Sequence, residues 1–258
     1  MTDAAQVSPL PRLNRLTNAD VLAALGAGFA DFRRAPAFGL FFGAIFSLTG
    51  IVIFLQLVVW QSSYWVLPIA AGFPLLGPFL AVGLYAVSRA LSKGEPLDWA
   101  SILSVPLREG RRQVPWMAFV AVFFYLVWVY LAHLIFALSF GLKPLTNVMS
   151  SHALFLTLEG ITMLVVGSAV GGALAFLLFA VSVISIPMML DREIDFVTAM
   201  VMSFRCVLEN KGPMLLWGAI VAALSGVAMA PLFLGMLLVF PVLGHASWHL
   251  YTRAVARD

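Results

Sequence analysis

The sequence predicts an all-α, polytopic membrane protein: a six-helix transmembrane bundle with three interfacial amphipathic helices. Three observations carry that prediction: long apolar runs, basic residues gathered at the ends of those runs, and an amphipathic stretch that recurs before three of them. Of the 258 residues, 62% are hydrophobic and only 10% charged, with a mean hydropathy of +1.00. Soluble domains hold roughly a quarter charged residues, so this chain is dissolved in lipid. Almost every residue falls in or beside an apolar run, which leaves no stretch for a separate globular domain.

Residues 1–19 hold Pro9, Pro11, Arg12 and Arg15 among small polar residues and read as a flexible cytoplasmic tail. Residues 20–258 then form a single transmembrane domain. Asp20 to Arg34 places Leu22, Leu25, Phe29 and Phe32 at helical spacing, with Asn18 or Asp20 available as a cap, and predicts an amphipathic helix too polar to cross a bilayer. Six apolar segments follow at about 37–59, 64–87, 115–140, 161–189, 213–230 and 231–252. A span takes about 20 residues, so the last long stretch divides into two near Ala230 and Pro231. One long tilted helix there would instead give five spans. No cleavable signal precedes Ala37, and the first span is expected to serve as the insertion signal.

With the N-terminus in the cytoplasm, six spans put Arg12, Arg15, Arg33, Arg34, Arg89, Lys93, Arg108, Arg111, Arg112, Arg192, Arg205, Lys211, Arg253 and Arg257 on one side. Of 15 basic residues only Lys143 falls outside, the positive-inside pattern expected of a bacterial inner membrane protein with both termini cytoplasmic. Five spans would move Arg253 and Arg257 across. The excess of +3 charge suits anionic head groups, and its distribution excludes a nucleic-acid face.

Asp20 to Pro36, Asp98 to Pro115 and Asp195 to Pro213 resemble one another. Each opens on an acid, runs through an amphipathic stretch and reaches a proline where a span begins. Phe73-Pro74-Leu75-Leu76-Gly77 likewise recurs as Phe240-Pro241-Val242-Leu243-Gly244. Three units are inferred, each an interfacial helix followed by a helical hairpin. Pro74, Pro78, Pro187 and Pro241 lie within spans and are kink positions.

Three stretches carry a resemblance. They are Gly77-Pro78-Phe79-Leu80-Ala81-Val82-Gly83-Leu84-Tyr85, Asp191 to Asp195 with the helix after it, and Phe240 through Gly244-His245-Ala246-Ser247-Trp248-His249 to Tyr251. In these the chain resembles a bacterial family of predicted integral membrane proteins catalogued as domain of unknown function 2189. More loosely, the alternation of interfacial helix and hairpin looks like the membrane domain attached to some glycerophosphodiester phosphodiesterases. Neither resemblance implies an activity or a catalytic residue.

His245 and His249 stand four apart and share a helix face, a spacing that zinc and haem sites use. Two side chains cannot close such a site, so hydrogen bonding inside the bundle is favoured, with no cofactor expected. Glu159 is the acid nearest a span, and solvation at the outer interface is favoured over proton relay. Gly167, Gly171 and Gly172 form a small-residue stripe that packs helices within the chain or between copies. Trp60, Tyr64, Trp65, Trp99, Trp116, Trp248 and Tyr251 read as an interfacial aromatic belt. Asp191, Glu193 and Asp195 with Arg192 read as a capping loop, and the lone Cys206 as a small buried hydrophobe. There is no phosphate loop or nucleophile elbow. The expectation is a non-enzymatic scaffold, accessory or lipid-associated module. A small permease and a subunit of a larger membrane complex are the alternatives, and membrane lipid or a second copy are the expected partners.

Overall fold

The computed structural model describes residues 11–60, 73, 77–109, 114–141 and 155–256. Among these the elements are helices: α1 (Asn18–Arg34), α2 (Pro36–Val58), α3 (Gly77–Leu80), α4 (Val82–Lys93), α5 (Trp99–Glu109), α6 (Val114–Phe140), α7 (Leu158–Ser182), α8 (Ser185–Asp191), α9 (Phe196–Glu209), α10 (Lys211–Met229) and α11 (Met236–Ala254). An isolated bridge joins Leu13 to Val255. Residues 11–17, inside the stretch read as tail, are held to the chain's other end by Asn14 N–H to the Ala254 carbonyl (2.8 Å) and Ala256 N–H to the Arg12 carbonyl (2.9 Å).

Four described helices, rather than six, are long and apolar enough to cross a membrane: Pro36–Gln56, Pro115–Phe140, Leu158–Asp191 and Lys211–Met229. Half of the segment expected at 64–87, Pro74 included, lies outside the described residues; besides Phe73 the described part is α3, which contains Pro78, and the start of the short, largely buried α4. The segment expected at 231–252 is a separate helix from α10, which settles the choice between one long helix and two. It misses the span criterion because His245, Ser247, His249, Thr252 and Arg253 fill its second half. The turn before it forces Leu232 (φ 54°) and Phe233 (φ 64°) into the left-handed region. Ser47 Oγ donating to the Phe233 carbonyl at 2.8 Å holds that turn against α2.

The short amphipathic helices begin on side-chain caps. Thr17, rather than Asn18 or Asp20, caps α1, with Asp20 completing a capping box. Asp98 accepts from Ser101 N–H ahead of α5, and Asp195 accepts from Thr198 N–H at the start of α9. These hydrogen bonds hold the carboxyls of Asp20, Asp98 and Asp195 below the usual carboxylate range. The turns after α1 and α9 share one backbone shape: Ala35 has φ −131°, ψ 55° and Asn210 has φ −121°, ψ 43°. Each leads into a span whose first turn holds a proline, Pro36 or Pro213. Asn210 also accepts from Leu16 N–H at 2.7 Å, tying the first of these regions to the third.

Helix α11 is the centre, covered chiefly by α1, α2, α4 and α10. Gly28 of α1 lies so close that a Cβ would meet the Ala246 backbone nitrogen at 2.5 Å. Pro241 cannot donate to the Leu237 carbonyl, and α2 comes up against that freed oxygen: a Cβ on Gly43 would stand 2.8 Å from it. Between α7 and α8 the ladder is broken at Val183 and Ile184, ahead of Pro187. Ser203 of α9 fills the gap, its Oγ accepting from Ile184 N–H (3.1 Å) and donating to the Ala180 carbonyl (2.8 Å). Helix α6 packs mainly on α7, where Trp128 lies over Gly171, while Gly167 and Gly172 face open space.

Candidate functional site

The polar side chains of the bundle converge on the second half of α11. His249 Nε2 lies 2.7 Å from Asp31 Oδ2 of α1, and His245 Nδ1 lies 2.7 Å from Ser88 Oγ of α4. Asp31, Ser88 and His245 are buried. A carboxylate only accepts, so His249 Nε2–H donates to Asp31, while Ser88 and His245 share one hydrogen bond whose direction follows the tautomer of the ring. Among the described residues His245 Nε2 is buried without a hydrogen-bond partner, as is Trp248 Nε1. Burial by itself would raise the Asp31 carboxyl; the hydrogen bonds from His249 and Ser88 outweigh it and hold the group below its ordinary range.

A second cluster lies one turn further along. Tyr251 donates its hydroxyl to Asp191 Oδ2 at 2.9 Å. Arg89 Nε stands 3.6 Å from Asp191 Oδ1, and Arg89 Nη1 donates to the Leu190 carbonyl at 3.0 Å. Arg192 donates to the Ala256 carbonyl. Together these contacts tie α4, α8 and α11 to the C-terminal end.

The two histidines share a neighbourhood, as their spacing predicts, and it is a hydrogen-bonded one. Among the described residues no three His, Cys, Asp or Glu side chains are placed to hold a metal ion. Ser, His and Asp do meet here, yet in an order unlike that of a hydrolytic triad, which sets the acid on the far nitrogen of the base that contacts the serine. Here the acid and the serine meet different histidines, Asp31 with His249 and Ser88 with His245. Glu159 is exposed in the first turn of α7. Pro187 is buried in α8 and Pro241 in α11. Trp60 and Trp116 are exposed, as an aromatic belt requires, whereas Trp248 and Tyr251 are interior; Tyr64 and Trp65 lie outside the described residues. Asp195 caps a helix as expected, while Asp191 serves Tyr251 and Arg89 instead.

Sequence reasoning misses Asp31, Ser88 and Arg89. The available signal for Asp31 is its register, three residues beyond Gly28 and seven beyond Ala24, on the small-residue face of α1.

The amphipathic helices have a consistent sidedness. Helix α1 buries Val21, Ala24, Gly28 and Asp31 and exposes Leu22 and Phe29. Helix α9 buries Ala199, Met202, Ser203, Cys206 and Val207 and exposes Val197, Val201, Phe204 and Leu208, a stripe on the opposite face. In α5, Ile102 is buried while Trp99 and Leu103 are exposed, and Trp99 stacks on Phe38 of α2 with centroids 4.0 Å apart.

Residues 66–191 match the model of a family described as predicted integral membrane protein, DUF2189. The match takes in Gly77 to Tyr85 and reaches Asp191, and it stops short of the stretch from Phe240 to Tyr251 that also suggested the resemblance. Comparison with curated proteins and with solved structures returns no match.

Proposed function

From the match of residues 66–191 to the family of predicted integral membrane proteins DUF2189, we propose that this chain is a non-enzymatic, lipid-associated scaffold of the bacterial inner membrane. Helices α1, α5 and α9 lie in the cytoplasmic interface, and anionic lipid is their partner. The observation that carries this reading is the sidedness of α1 and α9. In water the bulky face would be the buried one; here small side chains pack on the bundle and Leu22, Phe29, Val201 and Phe204 point away from it. That arrangement suits a helix whose outer face is solvated by acyl chains. Exposed Arg33, Arg34, Arg205 and Lys211 at or near the ends of α1 and α9 supply charge for acidic head groups.

Six crossings remain part of the proposal. The pairing of Leu13 with Val255 supports an even number, and α11 together with the apolar segment that the sequence places at 64–87 would add two to the four apolar helices. The asymmetry of basic residues supports cytoplasmic ends.

Spin labels at Val201→Cys and Arg205→Cys test the reading in vesicles containing phosphatidylglycerol, with collision rates measured against oxygen and a water-soluble nickel chelate. The expected result is oxygen access at 201 and chelate access at 205. Equal chelate access at both positions would place the stripe in water and refute the interfacial assignment.

A further inference from the structure

A cavity of about 510 Å³ lies between α2, α3, α4, α7, α10 and α11. Its wall includes Phe46, Phe179, Trp217 and Phe240, its polar members include the hydroxyls of Tyr85, Ser182, Ser225 and Ser247, and among the described residues no charged side chain lines it. The volume falls within the roughly 300–1,000 Å³ of sites that take one small ligand. Its mouth is lateral. Gly172 and Phe176 of α7 and Leu215, Ala219 and Ala222 of α10 belong to the wall and are also exposed on the outer surface. Both helices are apolar enough to span a membrane, so the opening between them faces hydrocarbon.

The depth of the cavity identifies what enters it. Along α7 the wall runs from Gly172 to Val183, along α10 from Met214 to Ser225, and along α11 from Met236 to Ser247. Each is eleven residues of helical rise, or about 16 Å, close to half of the roughly 30 Å hydrocarbon core. A slot one leaflet deep, open sideways and lined without charge, fits a single lipid acyl chain in length and chemistry. The wall begins on α10 one turn beyond the exposed Lys211 and ends on α11 at Ser247, between His245 and His249 of the first polar cluster. Both features mark the end where a head group would sit.

We propose that this cavity holds one acyl chain of a membrane phospholipid, admitted from the bilayer between α7 and α10. The inference rests on the bundle crossing the bilayer and is independent of how α1, α5 and α9 lie.

The full chain is reconstituted in vesicles of phosphatidylethanolamine and phosphatidylglycerol, in which one or the other carries a photoreactive diazirine on its acyl chain, and labelled residues are mapped by mass spectrometry. Phe240 and Leu243 of the central helix line the cavity and are otherwise buried, each only 7% exposed, so an occupant of the cavity reaches them and lipid on the outer surface does not. Label at these two sites is expected, alongside label on exposed Phe119 and Leu126 of α6. A Cβ on Gly172 meets nothing within 4 Å, so Gly172→Phe can fill the mouth without disturbing the backbone; Ala222→Phe blocks it from the other side. In either variant the label at Phe240 and Leu243 should be lost while that on α6 persists, which also reports an intact membrane fold. Label confined to α6 in the parent protein overturns the proposal, and so does unchanged cavity label in both filled variants. Cavity labelling by a photoreactive isoprenyl alcohol but by neither phospholipid overturns it as well.

Discussion

Two glycines two residues apart in α1 give the sharpest test of how that helix is held. At Gly26 an added Cβ meets nothing within 4 Å, whereas at Gly28 it meets the Ala246 nitrogen at 2.5 Å and Cα at 2.7 Å. Both sit inside the helix, so Gly→Ala brings each the same gain in helix propensity, about 1 kcal/mol. At Gly26 nothing opposes that gain, and Gly26→Ala should be stabilising by about that amount. At Gly28 the obstacle is backbone of the central helix and cannot rotate aside; forcing a methyl group into such a contact costs about 1–3 kcal/mol. The propensity gain cancels between the two variants, so their difference isolates the steric cost. Gly28→Ala should be less stable than Gly26→Ala by about 1–3 kcal/mol, toward the upper end because backbone must move. SDS-driven unfolding in mixed micelles, followed by tryptophan fluorescence, measures the difference. Equal stabilities would mean that α1 does not seat on α11 through Gly28.

Other expectations follow from the buried polar contacts. Asp31 has a folded pKa below its unfolded value, so its contribution to stability is complete above the unfolded value of about 3.9 and is lost as the pH falls through the folded one. The stability gap between the parent protein and Asp31→Asn should therefore be flat at neutral pH and close below about pH 4; a gap unchanged to pH 2 contradicts the assignment. Ser203→Ala strips both partners from Ile184 N–H and the Ala180 carbonyl, each costing about 1–3 kcal/mol when left buried and unsatisfied, and should lower the unfolding midpoint accordingly. Tyr251→Phe removes the hydroxyl that Asp191 accepts and should cost roughly 1.5–3 kcal/mol, read by the same assay. Asp195→Ala removes the cap of α9, worth about 1 kcal/mol, and should speed hydrogen exchange at the Thr198 amide.

What was legible in the sequence is what depends on local pattern. Apolar runs located α2, α6, α7 and α10, and the recurring acid, amphipathic stretch and proline located α1 and α9 with the turns that follow them. The apolar stripe of α1 reads as Leu22, Leu25, Phe29 and Phe32 and that of α9 as Val197, Met200, Val201, Phe204 and Leu208; most of each is exposed or partly so, while Leu25 and Met200 pack against the core. The inner faces were not legible, because Ala24, Gly28, Ala199 and Cys206 carry little hydropathy and act by permitting close approach. The pairing of His249 with Asp31 crosses 218 positions, and no local spacing encodes it. Trp248 and Tyr251 were misplaced because an aromatic with a polar tip near a helix end looks the same whether it faces head groups or, as here, the interior of the bundle.

The same distinction explains why α11 fails a hydropathy criterion although it is the best-covered helix of the bundle. Hydropathy asks whether a helix could face lipid by itself, and the second half of α11 could not: His245, His249 and Tyr251 would each need a polar partner there. Those partners come from protein. Asp31 arrives from α1, Ser88 from α4 and Asp191 from α8, so His249, His245 and Tyr251 each meet a polar side chain inside the bundle. Helix α1 is therefore part of the membrane domain's interior chemistry as well as a surface feature. It supplies the carboxylate His249 requires, fits by a glycine against Ala246, and is anchored at its start by the pairing of Leu13 with Val255. A helix too polar to span and a central helix too polar to be counted as a span thus complete each other, and the polarity of each is the reason the other can be where it is.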